Sequence, residues 1–350
     1  MPGARVRPLL LRPGARFACA RGGMCCSDMH LLGPLEQDEA ERIRRSRPDA
    51  VRVEPLKKRL ALVVGEDHRC VLLDPDGCSL HVEGGARAKP DVCRRFPYAL
   101  IATAMGGRVA TAHRCPCRTL GDRPPLSITD VESSLAERDG ELVPSAIAPD
   151  RIPLTARATA SIATYAAAEE RVLDALLRGV APAHALGVAP GLPRLRSSSW
   201  GQVAGRFLEL GAHPSFAGHA LTWFGHGLLA VVGDPARREL QPRPWRQVFD
   251  AAEREARVVE SPEKVIGDHL ADHLWCLAWI AWGPFDRARV CAAVLGAVAG
   301  ALTDVLVREG ARPDRAAAEA VMITELAAAH PAWGEVAVSV VPEVQRHDGA

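Results

Sequence analysis

The chain has 350 residues, 48% hydrophobic and 24% charged, with 43 basic against 42 acidic side chains. That suits one large or two ordinary domains, and it excludes wholesale disorder, a collagen-like repeat and a polybasic nucleic-acid tail. Of ten cysteines, eight fall between Cys19 and Cys117, while Cys276 and Cys291 alone occupy the remaining two-thirds.

In chain order, the Arg-rich start carries an apolar run of only three residues, Leu9–Leu11, too short for a signal-peptide core. Residues 35–45 read as a short helix after Gly33-Pro34. Residues 60–64, 70–73, 79–82 and 108–112 read as short strands, broken by Gly65, by Asp74-Pro75-Asp76-Gly77 and by Gly84-Gly85. Such pieces bury little apolar surface on their own, so bound metal is expected to hold them together.

Beyond residue 126 the pattern turns helical. Thr129 and Glu132 form a capping-box pair. Helices are expected over 155–178, 199–210 (stopped by Gly211), 215–232 (stopped by Gly233) and 245–258, with a Pro/Gly-rich connection at 181–196. Ser261-Pro262-Glu263 starts a helix predicted to reach Trp282, which would set Trp275, Trp279 and Trp282 on one face as core. Asp286 is expected to cap a helix to 307, and Asp314 the last one, to about 330. The longest apolar stretch, 290–302, is short of a bilayer span, and its Gly296/Gly300 spacing predicts close helix packing. The fold class is therefore α+β: a small cysteine-rich, metal-organised module of short strands and loops over residues 1–125, then a larger all-helical domain over 126–350.

The thiols run Cys19-x5-Cys25-Cys26, then Cys70-x7-Cys78-x14-Cys93-x21-Cys115-x-Cys117. A cytoplasmic location is expected, and there clustered thiols favour metal over disulfides. An all-thiolate set suits an iron–sulfur cluster first and zinc second, and excludes calcium and magnesium. Eight thiols fill two four-ligand sites, or one site with spares. On an extended strand Cys115 and Cys117 would face the same way. His68, His81 and His113 read as surface or supporting groups. Arg69, Arg94, Arg95, Arg114 and Arg118 sit beside cysteines and can offset cluster charge. Cys276 and Cys291 are expected to be packing residues.

Phe17-x-Cys19, Gly23-x-Cys25-Cys26, Cys70 to Asp74, Gly77-Cys78-Ser79-Leu80-His81 and the stretch from Lys89 to Tyr98, KPDVCRRFPY, resemble the YkgJ-type cysteine-cluster family over about residues 15–120. That resemblance implies a zinc- or iron-chelating domain, with Cys19, Cys25, Cys26, Cys70, Cys78 and Cys93 inside the family-like motifs. The layout of a front cluster followed by a long helical part is similar to the flagellin lysine-N-methylase subset. The subset implies methyl transfer from S-adenosylmethionine to lysine, with an iron–sulfur cluster implicated.

Two functions follow as expectations. One is a metal-dependent lysine N-methyltransferase, with Tyr98 a polar group near the cluster. The other is a non-catalytic metalloprotein, with structural zinc or a redox-sensing cluster, acting as a protein-interaction scaffold. A glycine-rich nucleotide loop, a P-loop and G-x-S-x-G are all missing from the sequence. His269 and His273, at i, i+4, lack the H-E-x-x-H pattern and are expected to be solvated or capping. Residues 1–125 carry 22 basic and 14 acidic side chains, net +8, and the rest 21 and 28, net −7. The basic front predicts cations that offset thiolates, or an acidic or lysine-bearing protein partner. Neither nucleic acid nor a membrane is an expected partner.

Overall fold

The computed structural model describes residues 4–19, 22–54, 58–137, 140–188, 197–232, 242–334 and 336. Its class is mixed α+β, about 53% helix and 14% strand. The front opens with β1 (Leu9–Leu11), α1 (Gln37–Ser46) and the antiparallel hairpin of β2 (Val51–Glu54) and β3 (Arg59–Leu62). The tight pair β4 (Leu73–Asp74) and β5 (Gly77–Cys78) follows, then α2 (Ser79–Gly84) and α3 (Asp91–Arg95). Residues 79–82, expected as a strand, are thus helical. Cys78 supplies the extended residue before the turn, and Gly85 at φ +71 stops it.

β6 (Tyr98–Thr103) and β7 (Gly106–Thr111) form an antiparallel hairpin at the centre of a four-stranded sheet, ordered β1-β7-β6-β8, with β8 at Ala146–Ile147. β1 lies parallel to β7, so close that a Cβ on Gly107 would stand 2.4 Å from the Val6 carbonyl oxygen. Both faces of the hairpin are covered. Leu100 and Val109 pack with Leu9, Val131 and Leu135, while Ile101 and Ala110 join the large core that the helices share.

After α4 (Pro116–Thr119), α5 (Ile128–Leu135) is capped by Ser127, whose hydroxyl accepts from Asp130 N, rather than by Thr129. β9 (Arg151–Pro153) and β10 (Thr159–Ser161) form a hairpin where helix was expected from 155. Helix begins only at α6 (Ile162–Leu177), capped by Ser161. α7 (Pro182–Ala185), α8 (Ser197–Leu210), α9 (Phe216–Val231) and α10 (Arg246–Glu255) come next. Gly233 and positions 189–196 of the expected connection lie outside the described residues. The predicted Ser261 cap is present on α11 (Pro262–Trp275).

α11 stops at Trp275 rather than Trp282, because Leu277 turns the backbone at φ +57 into a 3-10 turn, Ala278–Trp282. The three tryptophans therefore diverge. Trp275 donates to the Val109 carbonyl, Trp279 to the Tyr165 hydroxyl, and Trp282 stacks on His273 at 4.2 Å between centroids. α12 (Phe285–Arg308) and α13 (Pro313–Ala328) complete the bundle, their N-cap positions held by Pro284 and Arg312 rather than by Asp286 and Asp314. α12 is long and apolar enough to cross a membrane, yet 67% of its most apolar window is buried inside the protein. It packs against α7, α9, α11 and α13.

Candidate metal centre

A second, smaller core of Leu32, Ile43, Leu62, Cys70, Leu72 and Leu80 carries Cys26, Cys78 and Cys93 on its flank. Four segments bring thiols to this flank. The first is the turn Met24–Cys26, entered through Gly23 at φ +75, where a Cβ would meet Leu73 at 2.9 Å. Met24 is buried beneath it, and the Cys25 and Cys26 sulfurs stand 4.0 Å apart. The second holds Cys70, whose N–H donates to the Cys26 carbonyl at 2.8 Å. The third is the β4–β5 hairpin, which pairs Cys78 with Leu73 and so returns Cys78 beside Cys70. The fourth is α3, which presents Cys93. Its first N–H, on Asp91, donates to Glu39 of α1 at 2.8 Å, and Glu39 also takes the Glu36 N–H.

The thiols act on one another. Burial pushes Cys93 well up, and Cys70, Cys78 and Cys25 add to it as like charges, with Lys89 opposing. Burial raises Cys70 to about 11, reinforced by Cys78 and Cys25. Cys25 is raised first by its hydrogen bond with Cys26, then by burial, and further by Cys26 and Cys19. Several thiols, Cys70 buried and Cys25 and Cys93 half-buried, are each held neutral partly by their neighbours, and a bound cation would reverse this, since metal binding deprotonates thiols. The chemistry of the set therefore fits a soft metal or an iron–sulfur cluster, although among the described residues no three His, Cys, Asp or Glu side chains close into a ligand group as they stand.

Cys115 and Cys117 belong to the large core rather than to the smaller one. Both are buried in the large core around α4, where Pro116 at the first helical position turns the chain instead of extending it. Cys291 is fully buried in α12, and Cys276 donates to the His273 carbonyl. Tyr98 packs edge-on against Phe17, and burial raises its hydroxyl to about 12, with Asp130 and Cys19 adding.

The expected supporting groups are arranged differently. Arg94 donates to the Ser134 carbonyl at 2.7 Å and to Asp91, and Arg95 to the Val143 carbonyl. Lys89 is the cation that acts on Cys25 and Cys93. His68 pairs with Asp28 at 2.6 Å, and Asp28 also takes the Phe216 N–H, tying the thiol loops to the start of α9.

Arg118 belongs to a buried ion network that the sequence did not disclose. Arg12 Nε donates to Asp272 at 2.6 Å, Arg118 Nη2 to Asp272 at 2.8 Å, and both guanidinium groups reach Asp268. Thr111 and His113 Nε2 also bond Asp272, at 2.7 and 2.8 Å. Burial pushes Asp272 up, but Arg12 and Arg118 overcome it and hold the carboxyl well below its ordinary range. The neighbouring His269 is buried rather than solvated, and burial takes it well below the ordinary histidine range; His273 is lowered by burial to about 4. The available signal was the doubled i, i+4 pattern, Asp268/Asp272 beside His269/His273, which places two polar pairs on adjoining stripes of one helix.

No protein-family model, curated protein or solved structure matches the chain.

Proposed function

We propose that residues 19–93 hold a thiolate-bound inorganic centre, an iron–sulfur cluster in preference to zinc. Cys25, Cys70, Cys78 and Cys93 are the principal ligands, and Cys26 and Cys19 stand beside them. The observation that carries this reading is the packing of Cys26, Cys70, Cys78 and Cys93 on one small core, from segments up to 67 positions apart. A cysteine-rich module organised by that centre accounts for how strands of two to four residues keep their places. An all-thiolate donor set is the usual ligation of an iron–sulfur cluster, and four of these thiols suffice for one. Such a centre supplies redox or electrostatic chemistry tuned by Lys89 and by burial.

The resemblance to YkgJ-type proteins extends the proposal to methyl transfer from S-adenosylmethionine to a lysine-bearing protein. The alternative is a non-catalytic centre in an interaction scaffold, and both readings share the thiol site. Anaerobic purification followed by visible spectroscopy and iron, sulfide and zinc analysis tests it. A brown protein with sulfide is expected, and Cys93→Ser is expected to bleach it. Colourless protein free of both metals overturns the proposal. Equilibrium binding of S-adenosylmethionine then separates the two readings: saturable binding supports the transferase, and its absence supports the scaffold.

A further inference from the structure

A cavity of about 250 Å³ lies between the end of β7, α11 and α13, bordered by His113, His269, His273, Cys276, Trp282 and Glu325. His113 is 1% exposed and His269 3%. His113 Nε2 lies 2.8 Å from Asp272, a carboxylate that two arginines keep ionised, so this nitrogen carries the proton. His113 Nδ1 is then left with its lone pair and has no partner among the described residues. His269 Nε2 and His273 Nε2 are buried and unpartnered as well. The His113 and His269 rings stand edge to face with centroids 5.2 Å apart.

A histidine whose far nitrogen is held by a carboxylate is the usual arrangement of a metal-ligating imidazole, because the carboxylate fixes both the tautomer and the ring direction. The ions of the network do not oppose a cation here. Arg12 and Arg118 are matched by Asp268 and Asp272, and Arg114 by Glu325 at 3.7 Å. We infer that His113 and His269 form a nitrogen site for a borderline divalent metal ion of the zinc class. Glu325 and His273 stand at the cavity wall, and water completes the shell. Zinc-class sites take three or four protein ligands, and among the described residues no three donors are grouped as they stand, so Glu325 or His273 has to swing in as the third donor when the ion binds. It is independent of the thiol centre and shares no ligand with it.

Cobalt(II) titrated into the full chain tests this, since thiolate and imidazole ligation differ in spectrum. The expected result is, beside any cobalt taken up by the thiols, one equivalent with weak visible bands and no near-ultraviolet sulfur-to-metal charge transfer. That equivalent is retained in Cys25→Ser/Cys93→Ser and weakened about tenfold or more in His269→Gln. The unaltered protein should also show two exchangeable, paramagnetically shifted imidazole N–H resonances, a reading that does not depend on whether His269→Gln folds. Cobalt bound only with thiolate character, a cavity that holds water alone and takes up no metal, or affinity unchanged in both His269→Gln and His113→Gln overturns the inference.

Discussion

Asp272 accepts hydrogen bonds from Arg12, Arg118, Thr111 and His113 while only 3% exposed, so four groups from the front of the chain converge on one carboxylate of α11. Removing its charge leaves two buried guanidinium groups competing for Asp268. Asp272→Asn is therefore expected to cost about 3–5 kcal/mol, the usual penalty for breaking a buried ion pair from one side. Urea unfolding at pH 7 measures it, and Asp268→Asn, at the wetter end of the network, should cost less. His30 gives a prediction in pH. Burial, with Arg114 adding, lowers it from 6.5 to about 3. The unfolded chain thus binds a proton that the folded chain refuses between those values, and stability falls as pH drops through that window. The slope from one such group is at most about 1.4 kcal/mol per pH unit. His30→Gln should flatten the loss seen in urea melts between pH 6.5 and 4.

Among the elements, glycines that look alike in sequence differ sharply in surroundings. Gly267 lies inside α11, where a Cβ would stand 2.3 Å from the Leu176 carbonyl oxygen of α6. Gly300 of α12 has nothing within 4 Å of that position. Alanine in place of a mid-helix glycine gains about 0.5–1 kcal/mol where space allows, while forced overpacking costs about 1–3 kcal/mol. Gly300→Ala should raise the thermal midpoint and Gly267→Ala should lower it, both read by calorimetry. Gly296, by contrast, does meet Pro182 and Leu270 closely, so the expected small-residue packing holds at one of its two positions. Helix starts were legible where Ser261 and Ser215 announce their caps, because a capping hydroxyl is a local signal. The end of α11 was not legible, since a leucine at φ +57 leaves no local mark. Nor was the β9–β10 hairpin, whose Ala-rich surroundings read as helix.

At the scale of the whole molecule, the opposite charges of the two parts of the chain were visible in the sequence, but their meaning was not. Arg12, Arg108, Arg114, Arg118 and Arg123 of the basic front pair with Asp268 and Asp272, Glu169, Glu325 and Glu260 of the acidic remainder. Arg108 also lies over the Trp275 ring at 4.3 Å. Pairings that span 61 to 260 positions have no local signature, whereas Cys70, Cys78 and Cys93, which pack on the smaller core, already stand out in the sequence by residue type. The same pairs bear on cooperativity. Met24, Ile101, Ala110 and Leu120 share one core with α6, α9, α11, α12 and α13, so neither part buries its apolar or charged surface alone. Buried ion pairs are screened little by salt, and separating the parts would expose the guanidinium and carboxylate groups together with that core. A fragment ending at 125 and one beginning at 126 are therefore each expected to lack a cooperative melt, with or without added metal. The full chain should unfold in a single transition seen alike by tryptophan fluorescence and far-ultraviolet dichroism. Two separated transitions in the full chain, or a helical fragment that melts cooperatively by itself, would show that the buried ion pairs join two already stable bodies rather than complete one.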